Sequence, residues 1–197
     1  MLKSFSTIHI LCLFACLLTA CSKNTGNGDG NTASDFVKYL IPKGQQSSTP
    51  SVYKYYKNQS ELRFIVKFDN SAIYRSVDPN NQHDLNKLYG FADDDKPHHV
   101  SSARIGWRWY AEELQLQGYV YNDGVMSAMP ITSVPLNTEV SCSIRVEGAK
   151  YIFTVNGKVL EMPRSATSPG ALGYRLFPFF GGQESAPHDV SILIREY

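Results

Sequence analysis

Apolar and polar side chains alternate with a period of two along much of this chain, and that pattern restricts the fold more than any other. Leu62, Phe64, Val66 and Phe68 are separated by Arg63, Ile65 and Lys67. Ala103, Ile105, Trp107 and Trp109 are separated by Arg104, Gly106 and Arg108. Leu114, Leu116, Gly118 and Val120 are separated by Gln115, Gln117 and Tyr119, and Val190, Ile192 and Ile194 close the chain in the same way. Such alternation sends successive side chains to opposite faces of a pleated strand. A helix needs apolar residues every three or four positions over a longer segment. No long segment supplies them, and at most a short helical turn is expected near Asp84 to Lys87.

The turn residues agree with strands. Asn122-Asp123-Gly124 separates two apolar runs, and Asn156-Gly157 separates Tyr151–Val155 from Lys158–Met162. Asn-Gly and Asp-Gly pairs supply the positive φ angles of a type I′ hairpin. Glu147-Gly148-Ala149-Lys150 reads as another tight reversal. Many strands joined by hairpins give an all-β chain, an antiparallel β-sandwich, and its length favours a jelly roll over a small immunoglobulin-like module.

The N-terminus carries a different signal. Lys3 precedes an apolar run from Ile8 to Leu18 that is short for a membrane span, and Leu18-Thr19-Ala20-Cys21 follows. This resembles a bacterial lipoprotein signal peptide. The resemblance implies removal of residues 1–20 and lipidation of Cys21, with the mature protein held to the membrane through that lipid. Ser22, rather than an aspartate, follows Cys21, which favours the outer membrane of the cell envelope. Residues 21–35 are rich in Gly, Asn, Ser and Thr and read as the lipidated cysteine with a flexible tether. Residues 36–197 form the β-sandwich domain, a length suited to one core.

Loss of Lys3 with the signal leaves a mature chain whose basic and acidic side chains balance. Nucleic-acid binding, which needs an excess of Lys and Arg, is therefore not expected. Cys12 and Cys16 also depart, so Cys142 has no partner for a disulfide. It alternates with Val140, Ile144 and Val146 and reads as a buried filler.

The hairpins EVSCSIRVEGAKYIFTVNGKVLEM and the ending FFGGQESAPHDVSILIREY resemble the core and last strands of concanavalin A-like and laminin G-like jelly rolls. NKLYGFADDDKPHHVSSARIGWRWY and YRLFPFFGG are similar to stretches of a group of bacterial envelope lipoproteins. The superfamily includes lectins, glycan-binding modules, glycosidases and polysaccharide lyases, so the resemblance implies fold more than chemistry.

If Trp107 and Trp109 share the core face of Ile105, then Arg104 and Arg108 emerge on the opposite face. Gln115, Gln117, Tyr119 and Tyr121 join them from the next strand. Guanidinium, amide and phenol groups on one concave sheet suit a glycan, with Tyr174 and His188 at the rim and carbohydrate as the expected partner. An ordinary solvated sheet face with cross-strand polar pairs would carry the same residues. The expected activity is binding without catalysis.

Two other readings stay open. A polysaccharide lyase would combine Arg104, Gln117, His98, His188, Tyr119 and Tyr174, which are the residue types of alginate lyases, although the strand motifs of those enzymes are not reproduced. An interaction subunit of an envelope complex would use a sheet edge. The closely spaced carboxylates of a retaining glycosidase are missing, since Glu139 and Glu147 only flank a strand. His98-His99, Asp93-Asp94-Asp95 and His188-Asp189 match no zinc or EF-hand spacing. No cofactor is expected, and structural calcium is the single metal the resemblance keeps open. The residues leave the oligomeric state unspecified.

Overall fold

A computed structural model describes residues 35–197. Cys21, the signal and all of the tether except Asp35 lie outside the described residues. Twelve strands run in chain order as β1 (Val37–Ile41), β2 (Tyr55–Gln59), β3 (Glu61–Phe68), β4 (Asn86–Ala92), β5 (Ser102–Tyr110) and β6 (Glu113–Asn122). They continue as β7 (Val125–Val134), β8 (Val140–Glu147), β9 (Lys150–Val155), β10 (Lys158–Pro163), β11 (Ala171–Leu176) and β12 (Val190–Glu196). One sheet has the order β1-β12-β3-β8-β9-β10 and the other β2-β11-β4-β5-β6-β7, each with antiparallel neighbours. This is the jelly-roll β-sandwich that the alternation implies.

The two sheets bury the apolar parity of each strand against one another. Phe64 and Phe68 of β3 are buried and meet the opposite sheet through Tyr89 and Trp107, with ring centres 5.2 and 5.3 Å apart. Each such aromatic contributes roughly 1.5–3 kcal/mol by leaving water. Gly118 faces the same interior, where a Cβ would press on Met162 and Leu160. Cys142 is a buried free thiol, and burial pushes its ionisation well above the usual range.

The hairpins at Asp123-Gly124 and Asn156-Gly157 have positive φ at both central residues, as their sequences require. The β5–β6 hairpin does the same with Ala111 (φ 52°) and Glu112 (φ 60°), residues that carry no turn signal. The helical turn expected near Asp84 to Lys87 is not there, because that stretch enters β4 and Asn86 pairs with Trp107. Short 3-10 turns occur instead at Asn70–Ala72 and Pro79–Asn81. Asp69 and Asp78 cap them by accepting from the backbone N–H groups of Ser71 and Asn80.

A buried ion pair ties the end of β4 to the segment before β11. Arg164 donates to Asp93 from Nε at 2.8 Å, and both side chains are almost wholly excluded from water. Asp93 also accepts from the Tyr151 hydroxyl at 2.7 Å and the Leu172 N–H at 3.1 Å. Its own N–H bonds to the Ser101 carbonyl at 2.9 Å, which closes the base of the 93–101 loop. Removing one partner would strand a charge in the interior. Arg164→Met is therefore expected to lower stability by about 3–5 kcal/mol, and Asp93→Leu with Arg164→Met to recover most of it. Urea denaturation of the full chain measures both.

Candidate functional site

The β5–β6 ladder runs without interruption from Ser102–Tyr121 to Tyr110–Glu113. Ile105, Trp107, Leu114 and Leu116 therefore stay in the core along its whole length, and Arg104, Arg108, Gln115, Gln117, Tyr119 and Tyr121 share the other face. Trp109 packs partly buried against the core. Irregular pairing occurs to either side, between Lys87 and Tyr89, between Leu116 and Gln117 opposite β7, and farther off between Ala171 and Gly173.

That face differs from a solvated one. Arg104, Gln117 and Tyr119 are 5%, 6% and 5% exposed, so these groups are enclosed rather than offered to water. The cover comes from segments outside the ladder. Phe179 pairs with Lys87 through both backbone groups at 2.9 Å, and Ser47 pairs with Phe179 in turn. The loop carrying Ser47, Ser48 and Ser51 is thereby drawn over the sheet beside β4. Together with His98, Arg104 and Leu176–Phe179, these serines line a cavity of about 250 Å³.

Two polar atoms in that cavity lack partners. Arg104 Nε and Ser48 Oγ are fully buried, and neither has a hydrogen-bond partner among the described residues. The Arg104 guanidinium makes no ion pair there either, and lies 6.0 Å from the centre of the Tyr119 ring. Burial lowers its affinity for the proton, against the attraction of Tyr119, Tyr121 and Tyr174. An unpaired buried cation is unfavourable in a folded chain. β4, β5 and β7 contain no Asp or Glu, and in β6 the acid is Glu113 at the far end, which accepts from Ser133 Oγ at 2.6 Å. The site's chemistry favours an anion.

His98 comes into the site from the 93–101 loop. Its backbone N–H donates to the Tyr174 hydroxyl oxygen at 3.1 Å, and its Nδ1 lies 2.9 Å from the same oxygen. The phenol can then donate to Nδ1, which requires a neutral imidazole with its proton on Nε2. Burial, with the Arg104 charge second and His99 third, lowers the His98 imidazole to about 4. The His99 ring lies tilted against His98 with centres 4.2 Å apart and 5.4 Å from Tyr121, which stands 5.9 Å from Tyr119.

The structure thus brings Arg104, Tyr119, Tyr121, Tyr174 and His98 into one connected group, with Gln117 two residues along β6. Arg108 is on the same face but occupied: it donates to Gln115 Oε1 at 2.9 Å and the His83 carbonyl at 2.8 Å. His188 is not part of the group. It sits before β12 in the other sheet and bonds the Ser71 carbonyl at 2.9 Å. Among the described residues no cluster of three His, Cys, Asp or Glu is placed to hold a metal ion. Asp93 is held by Arg164, Asp94 by Lys96 and Asp95 by the Tyr55 hydroxyl. Ser48, Phe177 and Phe179 escaped the sequence reading, and so did Lys87. The first three belong to segments without regular alternation.

No protein-family model and no curated protein matches the chain. Solved structures resemble it in fold. An alginate lyase from Pseudomonas aeruginosa superposes with a TM-score of 0.55 at 14% identity, covering 83% of each chain. Another alginate lyase, solved in complex with dimannuronate, gives 0.53 at 11% identity over 82% of this chain and 73% of its own. An endo-beta-1,3(4)-glucanase of family GH16 gives 0.54 at 10% identity over 81% and 69%. At such identities the likeness establishes the concanavalin A-like sandwich and nothing finer.

The sign of the His98 effect follows from its lowered affinity. The unfolded chain takes up the proton near the ordinary value of 6.5 and the folded chain near 4, so this contribution to stability is complete above 6.5 and lost as pH falls toward 4. NMR titration should place the His98 midpoint near 4, and Arg104→Met should move it part of the way back up.

Proposed function

We propose that this chain is a lipid-anchored cell-envelope protein whose sandwich binds an acidic saccharide, the sugar carboxylate resting on Arg104. One observation carries the reading: a buried guanidinium without an acceptor among the described residues borders a cavity of about 250 Å³. A carboxylate brings two acceptor oxygens in the geometry of that fork, and Ser48 Oγ adds a further donor. Phe177 and Phe179 give the cavity apolar wall for the C–H faces of a sugar. Two of the structural neighbours are alginate lyases, one of them solved with dimannuronate, which supports an acidic saccharide, while a third is a glucanase. Residues 1–20 act as the signal, residues 21–35 as the lipidated tether and residues 36–197 as the binding domain. Attachment through Cys21 rests on the Leu18-Thr19-Ala20-Cys21 motif, and placement in the outer membrane on Ser22 after it.

A second reading, polysaccharide lyase, is favoured by the contact between His98 and Tyr174 beside Arg104. Elimination from a uronate needs its carboxylate neutralised, a base for the ring proton and an acid for the leaving oxygen. Arg104, neutral His98 and Tyr174 have those capacities, with Gln117 and Tyr119 along the same face. His188 takes no part in this version.

Calorimetric titration of the full chain in detergent with oligomers of uronates and of neutral hexoses tests the first reading. Uronate binding, weakened at least tenfold by Arg104→Met, is the expected result. Equal affinity for neutral oligomers, or an Arg104→Met variant that binds as before, would remove the proposal. A rise in ultraviolet absorbance on incubation with polyuronate identifies the lyase instead, and a flat trace leaves the binder. Labelling cells with a radioactive fatty acid tests the anchor: the wild-type chain takes up label and Cys21→Ser does not.

A further inference from the structure

Lys87 is the cation on this face that the Arg104 reading leaves unused. Its Nζ donates to the Leu85 carbonyl at 2.9 Å and lies 5.2 Å from the centre of the Tyr119 ring. Arg104 approaches the same ring to 6.0 Å. Two cations thus share one phenol, and among the described residues neither makes an ion pair, although the Asp84 carboxylate attracts Lys87 from farther off. Like charges held this close in a partly buried site oppose folding, so a chain selected for stability alone would separate or neutralise them. Burial, together with the Arg104 charge, lowers the Lys87 ammonium to about 8.

The lysine is also held where it stands. Both of its backbone groups are paired with Phe179, which fixes the root of the side chain. Further along, the stem passes directly over Gly181. A Cβ there would collide with Nζ and come within 2.9 Å of Cδ, so glycine at 181 keeps the path of the lysine open. One carbonyl uses one of three ammonium donors and leaves the others for a ligand.

We propose that Lys87 holds the charged group of the sugar residue next to the one on Arg104, so that the site selects two consecutive acidic residues over one. This rests on the Arg104 reading and adds a rule of sequence along the glycan. Arg104 and Lys87 come from neighbouring strands, β5 and β4, and both reach the Tyr119 ring, so an anion on each would lie within the span of one ring. A ligand with an acidic residue followed by a neutral one satisfies Arg104 and brings Lys87 no anion of its own.

The test compares two disaccharides, one of two linked uronates and one of a uronate joined to a neutral hexose. Each is titrated into the isotope-labelled full chain and followed by NMR, which reads weak binding. The diuronate should bind about tenfold more tightly than the mixed disaccharide. Lys87→Met should weaken the diuronate well beyond any effect on the mixed disaccharide and so remove that preference, and Lys87→Arg should keep it. The comparison on the wild-type chain needs no variant to fold. Equal affinities for the two probes, with binding still dependent on Arg104, would overturn the Lys87 assignment and leave the Arg104 reading intact. Equal weakening of both probes by Lys87→Met would mark a merely structural lysine and overturn it too. Absence of binding by either probe would remove both proposals.

Discussion

The register of β5 against β6 decides the character of both faces of the sheet at once. Each residue pair from Ser102–Tyr121 to Tyr110–Glu113 puts one parity into the core and the other into the cavity side. A slip of one residue would bring Arg104 and Arg108 against Phe68 and turn Trp107 outward, which the interior cannot accommodate. The apolar packing of Ile105, Trp107 and Leu116 therefore holds the polar constellation in place on the reverse side. The site needs no separate scaffold, because the core's own demand for a fixed register positions it.

Two arginines in this domain are buried to the same degree and meet opposite fates. Arg164 is saturated, with Asp93, the Ser168 and Gly170 carbonyls and the Ser168 hydroxyl around it. Arg104 has a phenol ring 6.0 Å away and no hydrogen-bond partner for its Nε among the described residues. The first arrangement is what folding requires of an interior charge, and it clamps the 93–101 loop that presents His98. The second leaves a buried cation without an acceptor among the described residues, and it is on this that the proposed recognition of an anion rests. Stability and recognition are thus divided between adjacent elements: the ion pair fixes the loop, and the loop delivers a neutral imidazole next to an unsatisfied cation.

Much of this was legible in the chain. The period of two in β3, β5, β6, β8 and β12 gave the core residues, and Asp123-Gly124 and Asn156-Gly157 gave their hairpins. Parity alone grouped Arg104, Gln117, Tyr119 and Tyr121 on one side. The Ala111-Glu112 turn was invisible because neither residue favours positive φ, and it forms only because the strands on either side are already paired. His188 was misassigned to the rim for a related reason. Proximity to β12 in sequence says nothing about which sheet that strand joins, and β12 lies between β1 and β3 on the far side.

What the sequence determined by itself is the alternation, and with it the fold class and the side of the sheet each residue occupies. These follow from local geometry, since a strand repeats every two residues wherever it sits. Enclosure was decided by the tertiary structure alone. Ser48, Phe177 and Phe179 reach Arg104 only through pairing between segments more than a hundred residues apart, Ser47 with Phe179. Whether a guanidinium is open to solvent or enclosed depends on what is folded over it, and no residue's neighbours in the chain carry that information.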